Sequence, residues 1–98
     1  MKEIYFGNFR VVIIEHIKEI EETVPEAHST EWFLLKYFKR IVKTIDDPAS
    51  PGKVDGTIRS LVRFYVDNID ENSELGDRCT RIYAAYKKAL REQQERDS

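Results

Sequence analysis

A single cysteine, Cys79, cannot close a disulfide within the chain. A small secreted scaffold held together by staples is therefore excluded, and a reducing compartment is expected. The four glycines are scattered singly, so no glycine-rich loop is available to cradle a phosphate. One cysteine with two histidines falls short of a zinc ligand set. No apolar run approaches the ~20 residues that span a bilayer. The opening residues, MKEIYFGNF, have no signal-peptide apolar region and no small-residue cleavage site. A cytoplasmic location is expected, with no membrane partner, no metal and no cofactor. An excess of one charge is missing too. The formal net charge is −2, whereas a nucleic-acid-binding domain is usually basic.

What is present is enough for a core. Hydrophobic residues make up 41% of the chain and charged residues 35%, a balance too apolar for disorder. The 98 residues are read as one helical domain, 1–98, able to bury roughly 60–70% of its unfolded surface. The strongest stretch is EWFLLKYFKRIVKTIDD, residues 31–47, which holds the only tryptophan. At a period of 3.6, Leu34, Phe38, Ile41 and Ile45 share one face, and Leu35, Tyr37 and Val42 widen it. A stripe that wide packs against two neighbours.

Four helices are predicted, at about 9–24, 30–46, 51–69 and 73–93. In the first, Phe9, Ile13, Ile17, Ile20 and Val24 form the stripe, Asn8 is the candidate cap and Pro25 the stop. The β-branched run Val11–Ile14 supports another reading. In it Gly7-Asn8 turns a hairpin between Glu3–Phe6 and Phe9–Ile14. Ser29 or Thr30 caps the second helix. Ser50 caps the third, with Pro51 at its first position. Val54, Ile58, Leu61, Val62, Tyr65 and Ile69 make its buried face. Asn72 or Ser73 caps the fourth, whose inner face is Leu75, Cys79, Ile82, Tyr86, Ala89 and Leu90, with Tyr83 beside it. Residues 93–98 are expected to fray. The fold class is all-α, a small four-helix up-down bundle; the alternative is a three-helix core with an N-terminal β-ribbon. Net charge alternates along the chain, −3 over residues 1–30, +2 over 31–53, −4 over 54–77 and +3 over 78–98, so adjacent helices attract.

Catalytic templates do not fit. Cys79 lies on an apolar face, where a thiol acts as a small hydrophobe. Glu15, His16 and Glu19 are the one cluster for proton transfer or a divalent metal. A packed, hydrogen-bonded histidine explains them equally. Asp67, Asp70, Asn72 and Glu74 fail the calcium-loop pattern, since the third residue is Ile69 and the sixth Asn72 rather than glycine. A histidine-phosphotransfer motif needs lysine three and glycine four residues after the histidine. His16 is followed there by Glu19 and Ile20, and His28 by Glu31 and Trp32. Small bacteriocin-immunity proteins are similar to this chain in length and expected architecture, a likeness that no motif accompanies.

The unexplained residues are on the surface. Trp32 and Phe33 adjoin Lys36, Lys39, Arg40 and Lys43, a mixture that suits a protein partner or stacked bases. The plainer reading folds Trp32 back onto residues 25–30 and leaves the cations solvated. Phe64 lies on the outer side of the third helix with Thr57, Ser60 and Asn68. Arg59 and Arg63 form a ladder with Asp55 and Asp67, and with Arg81 and Lys88 they are the candidate anion contacts. Val11, Val12 and Ile14 lie off the first stripe; if they adjoin one another, a homodimer through them follows. The expected function is a non-enzymatic protein-binding module: an adaptor, inhibitor, chaperone or immunity-type factor. The alternative is a nucleic-acid-associated regulator using the basic faces of the second and fourth helices.

Overall fold

The computed structural model describes residues 6–47 and 53–97, with side chains as far as Glu92. Four helices follow one another: α1 Gly7–Glu22, α2 Thr30–Asp46, α3 Val54–Asn68 and α4 Glu74–Asp97. Phe9–Ile14 are helical, so the ribbon alternative loses its second strand; residues 1–5 lie outside the described residues. The β-branched run costs α1 only tenths of a kcal/mol per residue, and burial of Phe9, Ile13, Ile17 and Ile20 on one face outweighs that. The N-cap of α1 is Phe6 rather than Asn8, with no side-chain bond, and Arg10 N–H donates to Phe6 O at 2.7 Å.

The end of α1 also differs from the prediction. The helix stops at Glu22, and Val24, expected in the stripe, is 81% exposed with φ of 49°. Its N–H still reaches Glu21 O at 3.1 Å, one of the two bonds of a Schellman turn. The other bond would need an N–H at Pro25, which has none. Thr23 covers the exposed Ile20 carbonyl instead, its N–H at 3.0 Å and its hydroxyl at 2.6 Å.

The α2 bounds match the prediction, and Ser29 caps it by accepting from Trp32 N–H at 3.1 Å. Helix α3 begins at Val54, three residues later than expected; Ser50 and Pro51 lie outside the described residues. Ser73 caps α4, its hydroxyl oxygen accepting from Gly76 N–H at 3.1 Å. The helix runs to Asp97 instead of fraying at residue 93. At 1.5 Å per residue α4 is ~36 Å long against ~25 Å for its neighbours, so it overhangs the bundle.

The packed pairs are α1–α2, α2–α3, α3–α4 and α4–α1, a ring with α1 diagonal to α3 and α2 diagonal to α4. Side-chain contacts fix every pair as antiparallel. Arg10 bonds Asp46 at 2.8 Å while Thr23 meets Glu31, so α1 and α2 run oppositely. Phe33 near the start of α2 meets Phe64 near the end of α3. Tyr86 of α4 donates to Asp55 at the start of α3, at 2.9 Å. Phe9 lies against Tyr86, and His16 against Arg78, which reverses α4 on α1. This is the up-down bundle the sequence predicts. Its core is Phe9, Ile13, Ile17, Ile20, Leu34, Leu35, Phe38, Ile41, Val54, Ile58, Leu61, Cys79, Ile82 and Tyr86. The charge alternation becomes cross-helix pairing in Lys39–Glu21, which joins α1 to α2, and Arg78–Glu19, which joins α1 to α4; Arg10–Asp46 joins α1 to α2 with the signs reversed. Exposed pairs are worth ~0–1 kcal/mol each, so they set register more than stability.

Candidate functional site

The α2–α3 seam is lined by aromatic rings. Ser29 fixes the first turn of α2, and the Trp32 ring leans on His28, 4.7 Å between centroids. Phe33 meets Trp32 edge-on at 4.9 Å and reaches Phe64 at 6.4 Å. Phe64 packs on Tyr37 at 4.8 Å. The row thus crosses from the α1–α2 connection to α3. Trp32 does fold back on the connection, as the plainer reading has it, yet its ring partners are His28, Phe33 and Lys36 rather than the central cluster. Phe33 is 38% exposed.

Cations flank the row. Lys36 Nζ lies 3.9 Å over the Trp32 ring, and the Arg40 guanidinium 5.8 Å from the Tyr37 ring. Lys43 follows one turn on, exposed. Arg59 pairs with Asp55 at 2.8 Å, but Arg63 makes no ion pair with Asp67, so the expected ladder is only half formed. Lys36, Arg40, Lys43 and Arg63 have no carboxylate partner among the described residues. An open groove of about 550 Å³ runs beside Arg59, Ser60, Arg63 and Phe64, with Gly56 at one end, Asp67 and Asn68 at the other, and Tyr37 on its α2 side. A second hollow of about 210 Å³ lies between Phe33, Lys36, Tyr37 and Arg40. Tyr37 lines both, so they form one surface.

Other expected contributors lie elsewhere. Lys39 turns toward α1 and pairs with Glu21 at 3.0 Å. Arg81 pairs with Asp77 on α4 at 2.9 Å, and Lys88 borders a hollow with Val12 and Ala85. Because α2 and α4 are diagonal, their basic outer faces do not join into one patch. The off-stripe apolar residues do not form one patch either. Val12 is on the α4 side of α1, while Ile14 shares the α2 side with Arg10 and Glu21. Only Val11, 52% exposed, points outward. Phe64, on the diagonal helix, is not beside them.

Of the Glu15–His16–Glu19 cluster, His16 and Glu19 form a helix-to-helix link, while exposed Glu15 stays out of it. His16 is buried, and Arg78 Nη1 lies 2.9 Å from its Nδ1 and 2.7 Å from Glu19 Oε1. An arginine can only donate, so Nδ1 accepts and the ring proton sits on Nε2. Burial first, then the Arg78 charge, pushes the His16 pKa below its usual value, while the bond from Arg78 holds Glu19 low. The acidic run after α3 closes on itself: Asp70 Oδ1 accepts from Asn72 N–H at 2.9 Å, and Ser73 caps α4. Among the described residues, no group of three or more His, Cys, Asp or Glu is placed to hold a metal ion. Burial pushes the Cys79 thiol up to about 12, which leaves it protonated and unreactive. No described helix is long and apolar enough to cross a membrane. Tyr83, expected beside the inner face, is exposed and borders an apolar hollow of about 260 Å³ with Tyr65 and Val66.

Sequence reasoning missed two contributors. Tyr37 reads as core widening, and it does pack against the central cluster; its position one turn after Phe33 is the signal that it also continues the row. Gly56 reads only as a cost to α3. No family model matches the chain, and neither does any curated protein or solved structure.

Proposed function

We propose that this protein is a non-enzymatic protein-binding module that works through the α2–α3 face. One observation carries the reading: Trp32, Phe33, Tyr37 and Phe64 form a continuous aromatic row along the α2–α3 seam, Phe33 exposed and Tyr37 and Phe64 half-buried against the core, flanked by cations without carboxylate partners. Aromatic and arginine side chains dominate the energetics of protein interfaces. A role as adaptor, inhibitor, chaperone or immunity-type factor fits such a face, and so does the cytoplasmic setting that one buried thiol suits.

Single-stranded nucleic acid is the competing occupant, since it also takes aromatics and cations. Stacking needs open ring faces. Here Lys36 covers the Trp32 face, and Phe64 and Tyr37 cover one another.

The test is Trp32→Ala. Its ring contacts are local, so thermal stability should change little, while affinity for a captured partner should fall by ~2 kcal/mol or more. A large loss of thermal stability with binding intact would remove this face from the account.

A further inference from the structure

We infer that the α2–α3 groove takes a helical segment of a partner protein whose inward face carries carboxylates beside an apolar anchor; this rests on the protein-binding reading of the same face. The groove is lined by one carboxylate without an ion pair, Asp67, and Arg59 beside it is engaged by Asp55. Among arginines with described side chains, Arg10, Arg59, Arg78 and Arg81 are ion-paired, whereas Arg40 and Arg63 on this face, and Arg91 on α4, are not. Lys36 adds to this face a third cation whose only close partner is a ring. Their fields add over a groove walled by aromatic rings, where a carboxylate would find several donors. Lys36, Arg40 and Arg63 outnumber Asp67, so the face as a whole attracts carboxylates.

Shape narrows the occupant. The groove follows α3 from Gly56 to Asn68, twelve residue steps or ~18 Å, the length of about three turns of a partner helix. Two antiparallel helices with a furrow between them accept a third helix, whose anchors recur at i, i+3/i+4 and i+7. Gly56 supports close approach. A Cβ built there meets nothing within 4 Å, so packing inside the bundle gives no reason for a glycine. It keeps that end of the groove low. Ser60, one turn on, bonds back to Gly56 O at 3.1 Å and presents little bulk. The Phe64–Tyr37 pair closes the other part of the groove and supplies the surface on which an apolar anchor rests.

The test selects peptides of about 16 residues, roughly four helical turns, from a displayed random library on the wild-type protein. The expected enriched set is acidic, with apolar residues at helical spacing. Binding of its synthetic members, followed by Trp32 fluorescence, should weaken as salt is added. It should fall at least about tenfold with Arg63→Glu, which has no partner to lose, and with Gly56→Phe, which fills the groove. Circular dichroism checks that both variants keep the fold. Enriched peptides that are neutral or basic, but still excluded by Gly56→Phe, would overturn the acidic-helix inference and leave the protein-binding face standing. Peptides indifferent to both variants would overturn both. So would an empty selection accompanied by salt-sensitive binding of oligothymidylate; an empty selection alone overturns the inference.

Discussion

Gly56 and Gly76 each occupy the third position of a helix, and a methyl group would meet very different surroundings at each. At Gly76 it would strike Asp70 O, with Glu71 backbone atoms at 3.0 Å, because the α3–α4 connection crosses directly over the first turn of α4. Gly76→Ala is therefore expected to cost ~1–3 kcal/mol, as overpacking does. Gly56→Ala meets open space and should be neutral or stabilising by up to ~1 kcal/mol, since alanine is the better helix former. Urea melts of the two variants check the pair, and equal effects would contradict it. His16 makes a pH-dependent contribution. Its folded-state pKa is depressed, so the unfolded chain takes up its proton at higher pH than the folded one. The stability it contributes is complete above the ordinary value of 6.5 and declines as pH falls through its folded-state pKa. Glu15 and Glu19 from α1 oppose that shift, and burial with Arg78 and Arg81 from α4 outweighs them. Glu19 and Asp46, also held low by arginines, give up their share only at more acidic pH. Stability measured against pH should therefore begin to decline just below 6.5, and His16→Asn should flatten that first decline. An unchanged slope would place the titration elsewhere.

At the scale of elements, periodicity decided most of what could be read in advance. Apolar residues at i, i+3, i+4 and i+7 outweighed the β-branched run in α1 because burial is worth more than propensity. Boundaries were less legible. Val24 continues the stripe on paper, but Pro25 removes the donor that would finish the turn and the chain leaves the helix two residues early. The connection to α2 then holds two non-glycine residues at positive φ, Val24 and His28. A β-branched residue is poorly suited to that region, and Val24 buries little in return. Val24→Gly should raise stability by ~0.5–1 kcal/mol, the relief of left-handed strain less the added freedom of the unfolded chain. A lower melting temperature would mean that the valine side chain contributes contacts that outweigh its strain.

For the whole molecule, the sequence made the bundle legible but not which surfaces adjoin. The ring order of the helices settles that. It separates α2 from α4, so two basic faces that look additive in the sequence are far apart. It puts Val12 and Ile14 on opposite flanks of α1, which removes the patch they suggest together. It also brings Phe64 to Phe33 and Tyr37, residues some thirty positions away, and so turns separate oddities into one row. Residue spacing along one helix is visible in a sequence; the partner across a seam is fixed only by packing.

The docking face proposed for a protein partner is this aromatic row with its cations. Site-specific photo-cross-linking in cells tests it most directly, with the cross-linker at Ser60 in the groove and, as a control, at exposed Lys18 on the diagonal helix. A discrete protein adduct is expected from Ser60, absent from Lys18 and lost with Arg63→Glu. Equal adducts from both positions, or adducts to nucleic acid alone, would contradict it.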